Sequence, residues 1–147
     1  MATRIEYHPE FSQQFKNLEA TNYDAFADVA ALVIALEAHG HLIEGLDHTA
    51  DPSHPVVTSK YDMWALRRTP STSFTPDATT APVLRIPYVW MIDKPAKQEY
   101  ALICFIGDKT QAGNKWYPAA VQAVEGTLLP LWGRANPGHE PRTKRRR

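Results

Sequence analysis

The sequence predicts an α+β fold in which helices are segregated on one side of a twisted antiparallel sheet. Helical periodicity dominates the first 40 residues, whereas apolar stretches with strand-like patterns dominate residues 61–106. A chain of 147 residues with 44% hydrophobic content can bury a core of its own. We therefore place one domain at residues 1–133 and expect residues 134–147 to form a disordered basic tail.

The N-terminal region predicts a short strand followed by a helical hairpin. Residues 3–7 alternate with the period of a strand, and Pro9 suits the first turn of a helix. Thr21 and Asp24 resemble a capping box that starts a second helix, and Gly40 is placed to end it.

Three strands of an antiparallel meander are predicted next, at residues 61–68, 83–93 and 99–106. The connection over residues 41–59 shows only a faint strand at Val56 and Val57, and residues 69–82 predict a mobile loop. Pro87 removes a hydrogen-bond donor, so the second strand should be bulged or have a free edge there.

A C-terminal helix is predicted at residues 119–129, and Pro130 should stop it. Cys104 is the single cysteine and lies in the most apolar strand, which indicates a buried thiol in a reducing compartment. We found no window that approaches the roughly 18 apolar residues of a membrane span. A soluble cytoplasmic protein without membrane association is the expectation.

The net charge of zero conceals a strong asymmetry along the chain. Residues 1–59 carry 2 basic and 9 acidic residues, residues 60–133 carry 8 and 6, and residues 134–147 carry 6 and 1. This division permits a polyanion to bind on the basic side. A solvated basic tail that only aids solubility is an equal alternative.

Residues 102–120 contain the candidate site. An apolar strand ends at Gly107, a polar loop carries Lys109, and a helical pattern opens around Tyr117, so a cation and a phenol can lie at one mouth of the sheet. Arg85 points away from the apolar face of its strand, where a phosphate clamp and an ordinary surface arginine are equal alternatives. Arg67 and its neighbour point to opposite faces, so at most one of the two can serve the site.

Four strings in order resemble the RelE/HigB superfamily of type II toxins, and most of all the HigB branch and its phage-derived relatives. The strings are DMWALR at residues 62–67, LRIPY at 84–88, LICFIGDKT at 102–110 and YPAAVQAV at 117–124. The resemblance covers roughly residues 3–126 and implies a small RelE-like fold, with an N-terminal strand, a two-helix hairpin, the meander and a C-terminal helix.

The resemblance implies a toxin that inhibits translation and arrests growth by cleaving mRNA, often on the ribosome. In that family the 2′-hydroxyl attacks the adjacent phosphate without a metal or other cofactor, which leaves a cyclic phosphate and a 5′-hydroxyl end. A cognate antitoxin, expected to be a helix-turn-helix protein, would neutralise it. Such chemistry requires a base, cations for the phosphorane charge and an acid for the leaving oxygen.

By position in these motifs, the catalytic residues implied are Arg67, Arg85, Lys109 and Tyr117. The residues expected to contact RNA are Arg68, Lys115 and Trp116. From the residues alone, an aromatic side chain at a helix start is more often part of the core than a stacking platform.

Some positions depart from the family pattern. Ala65 stands where the family has a glutamate, and Asp108 stands where it has a basic residue. The only histidine after Lys60 is His139, so no near-neutral base is evident in the predicted sheet. The alternative is therefore a non-catalytic protein, ParE-like or phage-encoded, that inhibits a topoisomerase or another host target.

Four of the histidines that precede the predicted sheet lie close together in the sequence, at His39, His41, His48 and His54. Their spacing is irregular and no cysteine accompanies them, so we expect no metal site.

Overall fold

The computed structural model describes residues 2–44, 52–68, 83–110 and 112–144, so the loop predicted at 69–82 lies outside the described part. The fold is α+β, as predicted. The strands are β1 Ile5–Tyr7, β2 Ser53–Pro55, β3 Met63–Arg68, β4 Leu84–Asp93, β5 Gln98–Ile103, β6 Gly107–Asp108 and β7 His139–Pro141. The helices are α1 Pro9–Thr21, α2 Tyr23–His39, α3 Trp116–Ala123 and α4 Leu129–Ala135.

Strand β4 is the centre of a mixed sheet whose order is β1-β5-β4-β3-β2. The predicted antiparallel meander of β3, β4 and β5 is confirmed, and β1 adds to β5 in parallel. Two further short strands also pair with β4, β6 at its first residues and β7 at its last.

Pro87 interrupts the pairing of β4 where its missing N–H would lie. The Pro87 carbonyl accepts a hydrogen bond of 2.9 Å from the Cys104 N–H, so its backbone faces the side of β5 and β6. Residues 104–106 separate β5 from β6. Because no strand is paired with β4 across this gap, the missing N–H of Pro87 costs no ladder hydrogen bond there. The ladder is interrupted near Pro87, and the predicted third strand, residues 99–106, is shorter in the structure because β5 ends at Ile103 and β6 begins only at Gly107.

The helical hairpin forms as predicted, although its second cap differs. Asn22, and not Thr21, caps α2, because its side-chain oxygen accepts a 3.2 Å hydrogen bond from the Ala25 N–H. Gly40 ends α2 with a φ of 55°, a left-handed conformation that favours glycine.

Helices cover both faces of the sheet, so the prediction that they lie on one side is wrong. Helices α1 and α2 pack through residues such as Phe11 and Leu36 against Ile86 and its neighbours on alternate positions of β4. On the opposite face, Val89 and Leu102 pack against α3 and the residues after it. Both faces of β4 and β5 are apolar, which requires a second covering layer.

Pro130 does not stop the C-terminal helix. A π-helical segment, Val124–Leu128, joins α3 to α4, and Pro130 occupies the first turn of α4. A proline is tolerated there because first-turn N–H groups need no intrahelical acceptor.

The prediction of a disordered tail from residue 134 is wrong for residues 134–144. Helix α4 continues to Ala135, and β7 then pairs with Met91, Ile92 and Asp93 at the end of β4. The Trp90 carbonyl accepts from the Arg142 N–H at 2.8 Å. The domain therefore continues past residue 133, because strand β4 is longer than β3 and offers hydrogen-bonding groups that β3 does not reach.

Residues 23–43, comprising α2 and the turn after it, have the length and mean hydropathy, 1.5, of a membrane span. Our sequence prediction missed this window. Val29, Val33 and Leu36 of α2 are nevertheless buried in the core against the sheet, as in the core helices of globular domains.

Candidate functional site

Two arginines face each other across β3 and β4. Arg67 and Arg85 are direct partners in the antiparallel register. They project to the face covered by α3, because the alternate residues Ala65 and Val89 belong to the core on that face. Like charges directly opposite each other destabilise a sheet by themselves, so this pair depends on the groups that surround it.

Strand β6 carries Lys109 to the same place. Gly107 pairs with Arg85, and the Lys109 N–H donates to the Val83 carbonyl at 2.9 Å. Asp108 accepts a 2.9 Å hydrogen bond from the Thr110 N–H. The acidic side chain therefore shapes the turn that presents Lys109.

Tyr117 completes the arrangement from the first turn of α3. Its hydroxyl accepts from Arg85 Nε at 3.4 Å, and Lys109 Nζ lies 5.1 Å from the centre of its ring. Trp116 lies over Gly107 so closely that a Cβ on this glycine would be 2.2 Å from its ring. Gly107 thus lets α3 approach β6 and brings Tyr117 above the arginines.

His54 is the member of the site that sequence reasoning missed. It lies in β2 opposite Ala65 of β3, and its Nε2 is 3.0 Å from the Tyr117 hydroxyl. The sequence pattern predicts a connection at residues 41–59, in which His54 is a candidate only for metal binding. The three-residue strand that contains it is too short, and too close to Pro55, to give a periodic signal.

The electrostatic environment keeps the His54 imidazole neutral. Burial, followed by the charges of Arg67, Arg85 and Lys109, lowers the pKa of His54 to about 4. A hydrogen bond to the Pro55 carbonyl opposes this shift. At neutral pH the imidazole therefore has a lone pair available to accept a proton.

Lys109 is affected in the same direction. Burial lowers the pKa of its ammonium group, and Arg85 and Arg67 lower it further. A lower pKa makes the ammonium group a better proton donor.

The four predicted catalytic residues Arg67, Arg85, Lys109 and Tyr117 thus lie together, with His54 added. We call these five residues the basic cluster. Of the residues predicted to contact RNA, Lys115 is exposed in the turn before α3, and half-buried Trp116 packs on Gly107 and Phe105. Arg68 belongs to β3, and its side chain lies outside the described part.

No group of three or more His, Cys, Asp or Glu residues within the described ranges is close enough to hold a metal ion. Cys104 is fully buried, and burial raises its pKa to about 12, so its thiol stays protonated. The basic cluster consists of proton-transferring and anion-binding groups. It can bind a phosphate group and move protons beside it.

Comparison of the chain with protein-family models, with curated proteins and with solved structures found no match.

Proposed function

We propose that the protein is the toxin of a type II toxin-antitoxin system, a metal-independent endoribonuclease that cleaves mRNA. The observation that supports this function is the convergence of Arg67, Arg85, Lys109 and Tyr117 around a neutral histidine. These four residues come from four separate strings of the sequence, and His54 supplies the base that those strings lack.

The basic cluster suits transfer of a phosphodiester bond to the neighbouring 2′-hydroxyl. Arg67 and Arg85 bind the non-bridging phosphate oxygens and stabilise the charge of the phosphorane. The phenolic oxygen of Tyr117 takes the 2′-hydroxyl proton and passes its own proton to His54 Nε2, 3.0 Å away.

The 2′-oxygen then bonds to phosphorus as the bond to the 5′-oxygen breaks. The Lys109 ammonium group donates a proton to the departing oxygen. The products are a 2′,3′-cyclic phosphate and a 5′-hydroxyl end, with protonated His54 and neutral Lys109 exchanging their protons with water before the next cycle.

A cytoplasmic location, a cognate helix-turn-helix antitoxin and action on translated mRNA complete this proposal. The antitoxin and the action on translated mRNA rest on the resemblance of the four strings to the RelE/HigB superfamily. The basic cluster itself requires only an accessible RNA strand.

The test is to map cellular RNA ends by primer extension after brief induction, and to repeat the cleavage with purified protein and RNA in the presence of EDTA. The variants are Arg85→Ala and Lys109→Ala, with Lys16→Ala as the matched control because Lys16 is exposed on α1. We expect new 5′-hydroxyl ends that disappear in the first two variants and persist in the control.

Growth arrest without new RNA ends would instead support the alternative of a binding toxin that inhibits a host target. Undiminished cleavage by folded Arg85→Ala would contradict the assignment of the basic cluster. Circular dichroism and a urea midpoint for each variant distinguish loss of chemistry from loss of folding.

A further inference from the structure

A cleft of about 340 Å³ opens directly beside the basic cluster. His54 and Tyr117 form part of its lining. The rest of the wall consists of Pro55, Val56, Val57, Thr58 and Pro118. We call this cleft the side slot. Because two of its lining residues belong to the basic cluster, any molecule in the side slot is adjacent to the proposed scissile phosphate.

The walls of the side slot are suited to a flat, weakly polar group. Val57 is 72% exposed, which is unusual for a valine, and two proline rings and a tyrosine ring add further apolar surface. The volume lies near the lower limit of about 300 Å³ for small-molecule sites. A heteroaromatic ring fits such a space, whereas a folded peptide helix, about 10 Å wide, does not.

Cations lie beside two of the residues that line the side slot. Arg85 and Lys109 lie beside Tyr117, and the Lys144 ammonium group donates to the Val57 carbonyl. The segment that carries Lys144 is attached to the sheet, because Asp62 N–H donates to the Arg142 carbonyl at 2.9 Å and Thr143 bridges to Tyr61. An occupant with anionic groups on either side of an apolar ring matches this distribution.

We propose that the side slot binds the nucleobase of the nucleotide next to the scissile phosphate, so that it selects which RNA sequence is cleaved. This proposal rests on the proposed function and identifies a substrate subsite for it. The base packs on Tyr117 and Pro118 while one flanking phosphate meets the basic cluster and the next approaches Lys144. Aromatic and apolar surfaces beside cations are the usual means of holding an unpaired base.

The test measures binding of nucleoside 3′-monophosphates with each of the four bases to the full-length protein by calorimetry. Ribose 5-phosphate is the probe without a base. Stacking of one base should make at least one nucleotide bind about tenfold more tightly than ribose 5-phosphate. Equal affinities for all five compounds would overturn the proposal.

Two matched variants locate that preference. Val57→Trp fills the side slot from an exposed position, and Ile34→Trp makes the same kind of change at a 65% exposed position on α2. We expect Val57→Trp to abolish the preference for nucleotides while retaining ribose 5-phosphate binding, and Ile34→Trp to change neither. A preference that persists in Val57→Trp, or that is also lost in Ile34→Trp, would contradict the assignment.

The two proposals fail separately. RNA cleavage without any preference for nucleotides would overturn the side slot and leave the endoribonuclease. A base preference that disappears in Val57→Trp, in a protein that cleaves no RNA, would support the side slot as a nucleotide site and overturn the endoribonuclease.

Discussion

Two clusters of polar residues lie on opposite faces of the sheet, and each contains one residue of β2. Ser53 and His54 are neighbours in this strand, so their side chains project to opposite faces. His54 belongs to the basic cluster, whereas Ser53 belongs to a second group centred on Glu44, which we call the acidic network. Each group contains a histidine and a tyrosine, but only one of them has the environment of a reactive site.

In the acidic network, a buried carboxylate is satisfied by several donors. The Glu44 side chain is only 6% exposed and accepts from the Tyr88 hydroxyl at 2.5 Å and from Trp90 Nε1 at 2.6 Å. His41 Nδ1 lies 2.8 Å from the same carboxylate, and its ring stacks on Trp90 at 3.7 Å. Ser53 Oγ joins the network through Tyr88 at 2.7 Å.

The two groups differ in what surrounds their ionisable side chains. Burial and the Glu44 charge raise the pKa of Tyr88 well above its usual value, so this phenol remains a donor to the carboxylate. In the basic cluster, burial and then three cations lower the pKa of His54, which keeps this base unprotonated at neutral pH. A satisfied network stabilises the fold, whereas crowded like charges change the chemistry of a neighbour at some cost in stability.

The largest expected effect is on catalysis. His54→Ala removes the proposed base and should lower RNA cleavage by about 10²- to 10⁴-fold. His39→Ala is the matched control, because His39 is exposed at the end of α2. Initial rates on a defined RNA, with the urea midpoint of each variant, provide the measurement. Equal loss in both variants, or no loss in His54→Ala, would remove His54 from the mechanism.

Glu44→Ala should show the opposite behaviour. It leaves the buried Tyr88 hydroxyl and Trp90 N–H without their acceptor, which should lower the free energy of unfolding by about 2–4 kcal/mol. Cleavage per folded molecule should change little. Urea unfolding measures the loss, and Glu19→Ala on the exposed surface of α1 is the control. A large fall in cleavage with unchanged stability would show that the acidic network belongs to the reactive site.

Gly107→Ala tests how the basic cluster is assembled. The added Cβ would be 2.2 Å from the Trp116 ring, so α3 or the indole must move, which should lower the free energy of unfolding by about 1–3 kcal/mol. Gly133→Ala is the control, since no atom lies within 4 Å of its added Cβ and alanine favours a helix. Unchanged stability and cleavage in Gly107→Ala would show that this close approach is unnecessary.

The smallest expected effect is on the pH dependence of stability. His54 has a pKa of about 4 in the folded protein, against about 6.5 in an unfolded chain. Above pH 6.5 the His54 imidazole is neutral in both the folded and the unfolded state. Between about pH 6.5 and pH 4 the unfolded state binds a proton at His54 that the folded state does not bind. Stability therefore falls as the pH falls through this window. The half-buried position should limit the loss to about 1–2 kcal/mol.

Urea midpoints between pH 7 and pH 4.5 measure this dependence. His54→Gln should lose this component of it, whereas His39→Gln should retain it. An identical pH dependence in the native protein and His54→Gln would mean that burial and the neighbouring cations do not lower the pKa of this histidine in the folded state.

Local sequence patterns determined the helical hairpin, the main strands and the side of the sheet on which Arg85 lies. Pro9 and Gly40 mark the helical hairpin, Pro87 marks the interruption beside β4, and alternation along residues 84–92 assigned the face of Arg85 correctly. These features follow from backbone chemistry and side-chain period, which act over a few residues and can therefore be read from the sequence. The predicted cation and phenol positions lie together because each is fixed to the end of a strand or a helix.

Only the tertiary structure determined the position of His54, the order of the C-terminal segment and the continuation of the helix at Pro130. His54 gains its role by the pairing of a three-residue strand with β3, and the predicted tail gains order because β7 pairs with the exposed end of β4. Pro130 continues a helix because a π-helical segment precedes it. Short segments bury too little surface to specify their own conformation, so their structure depends on partners that are distant in the sequence.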